Sequence, residues 1–344
     1  MKFRILLIVL FVSQLNLLAQ EFKTPVDFLT YLNKEQVIIS RSTWKYTSAM
    51  AHSKSPRRID ATRKQLVKSI EAASKKIGAL KEGYKGDVEY KNQVLQYFDV
   101  CKNNLNEEYD KIINMQEVAD QSYDAMEAYL LTRDLINEKL DSENEKVQNA
   151  FKAFATKYNI TLSEGNSDIG NKIKLSNEVF DYHTVLYLTF FKLNFTDTNL
   201  DVAIQKKDLA AIQQNANTLV QYADEGLTKI KTIPAYQGDS SLLNATKKTL
   251  EYYKKQAQQY VPKLVAFLMF NDKFENAKKT LDAKSQKDRT KEEVDNYNSM
   301  VKQVNKEIDN YNKFNAANFE EKSTIIGTLE ATSENFISGH IPAD

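Results

Sequence analysis

The chain is poor in the residues that punctuate and cross-link proteins. It has one cysteine, five prolines, nine glycines, three histidines and one tryptophan in 344 residues. A single cysteine excludes an internal disulfide framework. Glycine and proline together are 14 residues, about a third of the usual share. So few turn formers exclude a many-stranded β fold and a Gly/Pro-rich disordered chain. Charge of one sign is also lacking: 47 Lys and Arg stand against 46 Asp and Glu. No net field for a nucleic acid results. Hydrophobic residues, at 42%, are ample for a sizeable core.

Long apolar runs are scarce, and one is at the start. Lys2 and Arg4 precede the unbroken apolar stretch Ile5 to Val12, and Leu17-Leu18-Ala19-Gln20 offers a small residue for cleavage. This pattern predicts a secretory signal peptide over residues 1–19. The apolar core is too short to span a bilayer. Cleavage would remove two positive charges and take the formal charge from +1 to −1. The other apolar stretch, Val185 to Phe191, is closed by His183 and Lys192 and is also too short to span. The expectation is an exported protein, periplasmic or at the cell surface, with no transmembrane segment after cleavage. Asn159, Asn194 and Asn244 open glycosylation sequons, which matter only in a host that uses them.

Apolar residues recur at helical spacing throughout, and no segment alternates with period two. Ile59, Leu66, Ile70, Ala73, Ile77 and Leu80 mark one helix face. Val94, Phe98, Cys101, Leu105, Tyr109 and Ile112 mark another, which makes Cys101 a buried structural thiol. Thr24-Pro25-Val26-Asp27 and Ser55-Pro56 read as helix starts. A long pattern runs from about 117 to 158, and Ser163 to Ser167 form the clearest mid-chain break. Four more patterns follow, over about 172–195, 200–233, 241–270 and 272–315, the second with a weak point at Lys207-Asp208. Thr290-Lys291-Glu292-Glu293 is a capping box within the last, so that stretch divides there. Val294, Tyr297, Val301, Val304, Ile308 and Tyr311 then form a short seam of coiled-coil type.

Tyr84-Lys85-Gly86-Asp87 recurs as Tyr236-Gln237-Gly238-Asp239, each between two helical patterns. In this reading the glycine takes a left-handed position at a helix end and the aspartate caps the next helix. Leu66-Val67 and Ile77 match Leu219-Val220 and Ile230 at nearly the same offset. The expected fold is all-α: an elongated antiparallel helical bundle of two tandem four-helix units. These would cover 22–162 and 168–335, related by an internal repeat. Residues 336–344 would be a C-terminal tail.

The motifs of common chemistries are missing. There is no His-Glu-x-x-His, no Glu-x-x-His, no Cys/His cluster, no Walker A loop and no Gly-x-Ser-x-Gly. No catalytic residue and no cofactor is expected. The weak metal candidates are His52, His183 and Asp181, although residues two apart on a helix do not share a face. Glu117, Asp120, Asp124 and Glu127 lie three, four and three apart. They form an acidic stripe suited to a basic partner. Lys54, Arg57, Arg58, Arg63 and Lys64 form a local basic cluster. Tyr123, Tyr129 and Trp44 are aromatic candidates for a groove.

Several stretches carry a resemblance: Ala51-His52-Ser53-Lys54-Ser55-Pro56-Arg57, Gly86-Asp87, Ser122-Tyr123-Asp124-Ala125-Met126-Glu127-Ala128-Tyr129, Phe154-Ala155-Thr156-Lys157-Tyr158-Asn159-Ile160 and Phe190-Phe191-Lys192. Together they resemble a family of secreted helical surface proteins of Bacteroidetes and spirochaetes, labelled after a Leptospira surface protein. The resemblance implies a cell-envelope or extracellular location. It implies no reaction, ligand or site residue. The expected function is a non-enzymatic exported module that binds a protein or cell-envelope component. The alternative is a small-ligand or metal-binding protein with its site in the groove between the helical units.

Overall fold

The computed structural model describes residues 22–113, 123–162 and 167–343. The described residues form an all-α fold. The helices are α1 Pro25–His52, α2 Pro56–Gly78, α3 Glu89–Ile113, α4 Tyr123–Lys157, α5 Asp168–Gln205, α6 Leu209–Ile230, α7 Ser241–Lys255, α8 Val261–Asp282 and α9 Lys291–His340. A single π-helical turn, Gln256–Tyr260, joins α7 to α8 without a break.

The helix starts are set locally. At α1 the Thr24 hydroxyl accepts from the Asp27 N–H at 3.1 Å, and the Asp27 carboxylate accepts from the Thr24 N–H at 2.9 Å. Thr290 and Glu293 make the same reciprocal box at α9. Asp208 caps α6 through the Ala211 N–H at 3.0 Å, and Lys207 before it takes φ +53°. The break therefore falls at 206–208, and α5 runs without interruption through residues 195–200. The expected break near 270 is absent, because the π-turn carries the helix on to Asp282, and α9 continues to His340 rather than ending near 315. Of the loop expected at Ser163 to Ser167, only Ser167 is among the described residues, as the cap of α5.

The described residues fall into two compact units, and each is discontinuous in sequence. One gathers those of Met1–Ser42, Lys64–Asn106 and Ile136–Gly165; the other gathers those of Thr43–Arg63, Glu107–Leu135 and Asn166–Asp344. In the first unit, Leu66, Ile70, Ala73 and Ile77 of α2 are buried. Val94 and Phe98 of α3, Val147 and Phe154 of α4, and Phe28 and Leu32 of α1 are buried too. In the second, α5 buries Val179, Leu186, Leu193 and Leu200, one residue every seven. α6 answers with Ile212, Ala216, Leu219, Ala223 and Ile230, and α7 with Leu242, Leu250 and Tyr253, in one core cluster.

Both Tyr-x-Gly-Asp motifs form the same two-residue hairpin. Tyr84 and Asp87 exchange backbone hydrogen bonds at 3.0 and 2.9 Å, and Tyr236 and Asp239 at 3.0 and 2.8 Å. Both central residues have positive φ: Lys85 +50° with Gly86 +88°, and Gln237 +50° with Gly238 +89°. That is a type I′ turn, so the glycine closes a hairpin rather than a helix end. Each aspartate accepts from a backbone N–H at the start of the next helix, Glu89 at 3.3 Å and Ser241 at 2.7 Å.

The likeness extends to the surrounding rings. Phe28 meets Phe154 at 5.4 Å, Tyr84 meets Tyr158 at 5.1 Å, and Phe154 meets Tyr158 at 4.6 Å. Tyr182 meets Phe336 at 5.4 Å, Tyr236 meets His340 at 5.1 Å, and Phe336 meets His340 at 4.6 Å. In each case a ring from the first helix and an i, i+4 pair near the end of the last helix enclose the turn tyrosine. The aspartate is held from that last helix too. Lys157 (2.8 Å) and Tyr158 (3.3 Å) donate to Asp87, and the His340 Nε2 lies 2.9 Å from Asp239.

Candidate functional site

The second unit contains a buried polar cluster built around the π-turn. Asp197 sits on the core-facing side of α5, four residues after Leu193 and three before Leu200, and is 2% exposed. Lys322 of α9 pairs with its carboxylate and reaches Asp201 at 3.1 Å. The Gln256 Nε2 donates to the other Asp197 oxygen at 2.8 Å. Burial pushes the Asp197 carboxyl above its ordinary range, against the pull of Lys322. Burial works against the charge on Lys322 as well, but the two carboxylates win and its pKa is raised. The pair is therefore ionised together, with each charge depending on the other.

The π-turn explains why Gln256 faces inward. One extra residue in the turn shifts the helical register, and Gln256 and Ala257 both become buried. The Gln256 Oε1 is buried and has no hydrogen-bond partner. The tyrosines on either side are anchored by amides. Tyr252 donates to the Asn318 Oδ1 at 3.2 Å, Tyr253 to the Asn194 Oδ1 at 3.0 Å, and Tyr260 to the Asn315 Oδ1 at 2.7 Å. Burial, reinforced by neighbouring charge, raises the pKa of all three phenols, so they stay neutral. A cleft of 160 Å³ opens here, lined by Gln256, Gln259, Tyr260, Lys263, Phe314 and their neighbours.

The candidates read from sequence lie elsewhere. The His52 Nε2 is 3.2 Å from the Pro342 carbonyl at the end of α1. The His183 Nε2 is 2.5 Å from the Ser333 hydroxyl, and burial lowers the His183 pKa. The ring stacks on Tyr187 at 6.0 Å. Asp181 is exposed on α5. Among the described residues no group of three or more His, Cys, Asp or Glu is placed to hold a metal ion. The side chains of Glu117, Asp120, Asp124 and Glu127, with those of Tyr123 and Tyr129, lie outside the described residues. Trp44 is a core residue at 6% exposure. The basic cluster loses Arg63, which is buried against Asp60 at 3.0 Å, while Lys54 pairs with Glu334. Cys101 is half-buried, and burial pushes its thiol up to about 11.

Sequence reading passed over Asp197, Gln256 and Lys322. A signal for Asp197 was present: a carboxylate inside the Leu186, Leu193, Leu200 stripe, where an apolar residue belongs. Gln256 gives none, because its burial follows from the π-turn register. Among the described residues no helix is long and apolar enough to cross a membrane. Comparison with protein-family models, with curated proteins and with solved structures returned no match.

Proposed function

We propose that this protein is an exported helical binding module of the cell envelope or surface, built from two copies of one helical plan and acting without covalent chemistry. The basic residues and apolar run at positions 2–12 support export, as does the resemblance to secreted helical surface proteins. The matched hairpins and ring clusters support the duplication.

One observation carries the binding reading. In the buried cluster the charged groups are spent on one another, Lys322 on Asp197 and Asp201. The groups left facing the cleft are amides, phenols and phenyl rings, and such groups recognise without reacting. Fractionation of cells expressing the full-length tagged chain, followed by cross-linking and identification of what co-purifies, tests the proposal. Recovery outside the cytoplasm with a defined partner is expected. A chain that remains cytoplasmic would refute export, and turnover of any substrate by the purified protein would refute the non-enzymatic reading.

A further inference from the structure

We propose that the cleft beside the π-turn binds one uncharged, hydroxylated ring, a single sugar unit. The ring would set its C–H face against Tyr260 and Phe314 and donate a hydroxyl proton to the Gln256 Oε1. This assignment rests on the binding-module reading and gives it a ligand class.

The observations converge on that class. The buried Gln256 acceptor is unpartnered, and a buried polar group without a partner costs about 1–3 kcal/mol. A hydroxyl entering beside Gln256 removes that cost. Charge points to a neutral ligand. Lys322 is matched by Asp197 and Asp201, and Lys255 by Glu321 at 2.7 Å. Adding Lys263 brings the local sum to zero, so neither an anion nor a cation is favoured. The apolar wall is an aromatic corner: the rings of Tyr260 and Phe314 meet edge to face, with centroids 5.4 Å apart and an interplanar angle of 71°. Such a wall suits the weakly polar C–H face of a sugar, while Gln259 on the rim supplies both a donor and an acceptor. At 160 Å³ the cleft is well below the ~300–1,000 Å³ of drug-sized sites, which limits the occupant to one ring. The first unit has a larger hollow of 270 Å³ between α2 and α3. There Asp99 and Lys102 pair with each other at 3.1 Å and provide no comparable unmet group.

The test is titration of the purified full-length chain, followed by NMR and calorimetry. The probes are glucose, galactose, mannose and N-acetylglucosamine, with inorganic phosphate and choline as charged comparisons. Saturable binding of at least one sugar is expected, weakened about tenfold or more in Phe314→Ala. Gln259→Ala removes only an exposed side chain, so it tests the site without endangering the fold, and a loss of several-fold is expected. Silence with all four sugars, preference for phosphate or choline, or sugar binding unchanged in both variants would overturn the assignment. A co-purifying partner combined with sugar silence would remove the sugar site and leave the binding-module reading standing.

Discussion

Replacing Lys322 with methionine tests the buried cluster most directly. Methionine keeps the length of the side chain and removes its charge. Asp197, whose side chain is 3% exposed, would then keep only the Gln256 amide as a donor. Stranding one partner of a buried ion pair costs about 3–5 kcal/mol. Lys322 is itself 23% exposed, so solvent screening puts the expected loss near the lower end, at about 3 kcal/mol. The pH dependence has a definite sign. The Asp197 carboxyl already titrates above its unfolded value because of burial, and losing Lys322 raises it further. A carboxyl with a raised folded pKa destabilises the fold once pH rises above its unfolded value, and that penalty is relieved on acidification. Urea denaturation of Lys322→Met should therefore show a deficit against wild type that shrinks from pH 8 to pH 5. Adding Asp197→Asn should recover most of the loss. A deficit under 1 kcal/mol, or one that is the same at both pH values and unaffected by the second substitution, would refute the reading of Asp197 as a charge held in place by Lys322.

Other consequences can be measured separately. A Cβ at Gly83, with φ +57°, would fall 2.0 Å from the Asp87 carbonyl oxygen, whereas one at Gly86 or Gly238 meets nothing within 4 Å. Gly83→Ala should therefore cost well over 2 kcal/mol in thermal or urea unfolding, against about 1–2 kcal/mol for Gly86→Ala or Gly238→Ala. Equal losses at Gly83 and Gly86 would contradict the hairpin geometry. Phe154→Ala and Phe336→Ala, at 3% and 2% exposure, should each cost about 3–5 kcal/mol. Asp239 is held below the ordinary carboxylate range chiefly by His340. Asp87 is held below it by Lys157 and by the Glu89 N–H, against burial. Their contribution to stability is thus complete above about pH 4 and fades as pH falls through the depressed values; an acid-unfolding midpoint unmoved by Asp87→Asn would count against this. Cys101, with its thiol pushed up to about 11, should react with a thiol reagent at pH 8 at least about tenfold more slowly in the native chain than in urea.

How far the sequence could be read depended on whether a feature was local. The caps at Thr24, Ser55 and Thr290 are local chemistry, and each sits where its residues imply. The stripe Leu66, Ile70, Ala73, Ile77 was legible because a helix face repeats regardless of its partner. The Tyr-x-Gly-Asp turns were visible as a repeat, but their conformation was not. Two consecutive residues at positive φ, one of them lysine or glutamine, depend on the ring cluster and the backbone exchange that enclose them. Residues 195–200 looked like an end because Asn194, Thr196, Asp197 and Thr198 are polar. In the fold Thr196 hydrogen-bonds back to the Lys192 carbonyl at 2.9 Å, and Asp197 finds Lys322 some 120 positions away. No local pattern encodes that partner. The π-turn is illegible for a related reason: it alters the register on which the reading itself depends.

The two ring clusters also provide a frame for asking where the two halves diverged. The Phe154/Tyr158 and Phe336/His340 pairs match at a separation of 182 residues, the two hairpins at 152, and Phe28 with Tyr182 at 154. Counted along the helices from these anchors, Lys322 corresponds to Leu140 and Asp197 to Thr43. Gln256 corresponds to Asn104, whose Oδ1 is also a buried acceptor without a partner. The amide thus recurs at the matched register, while the ammonium and the carboxylate are particular to the second half. A buried ion pair contributes little net stability compared with apolar side chains of similar size. Leucine at position 140 shows that this register accepts such a residue. The fold therefore does not require the pair at 197 and 322. What the pair does is fix the Gln256 side chain by its Nε2, leaving the Oε1 as the group without a partner beside the cleft. If the cluster serves recognition, Asp197→Leu combined with Lys322→Leu should give a chain as stable as wild type or more so, with sugar binding weakened because Gln256 is no longer held. A double variant that binds as well as wild type would show instead that the pair is packing alone, and that Tyr260 and Phe314 suffice.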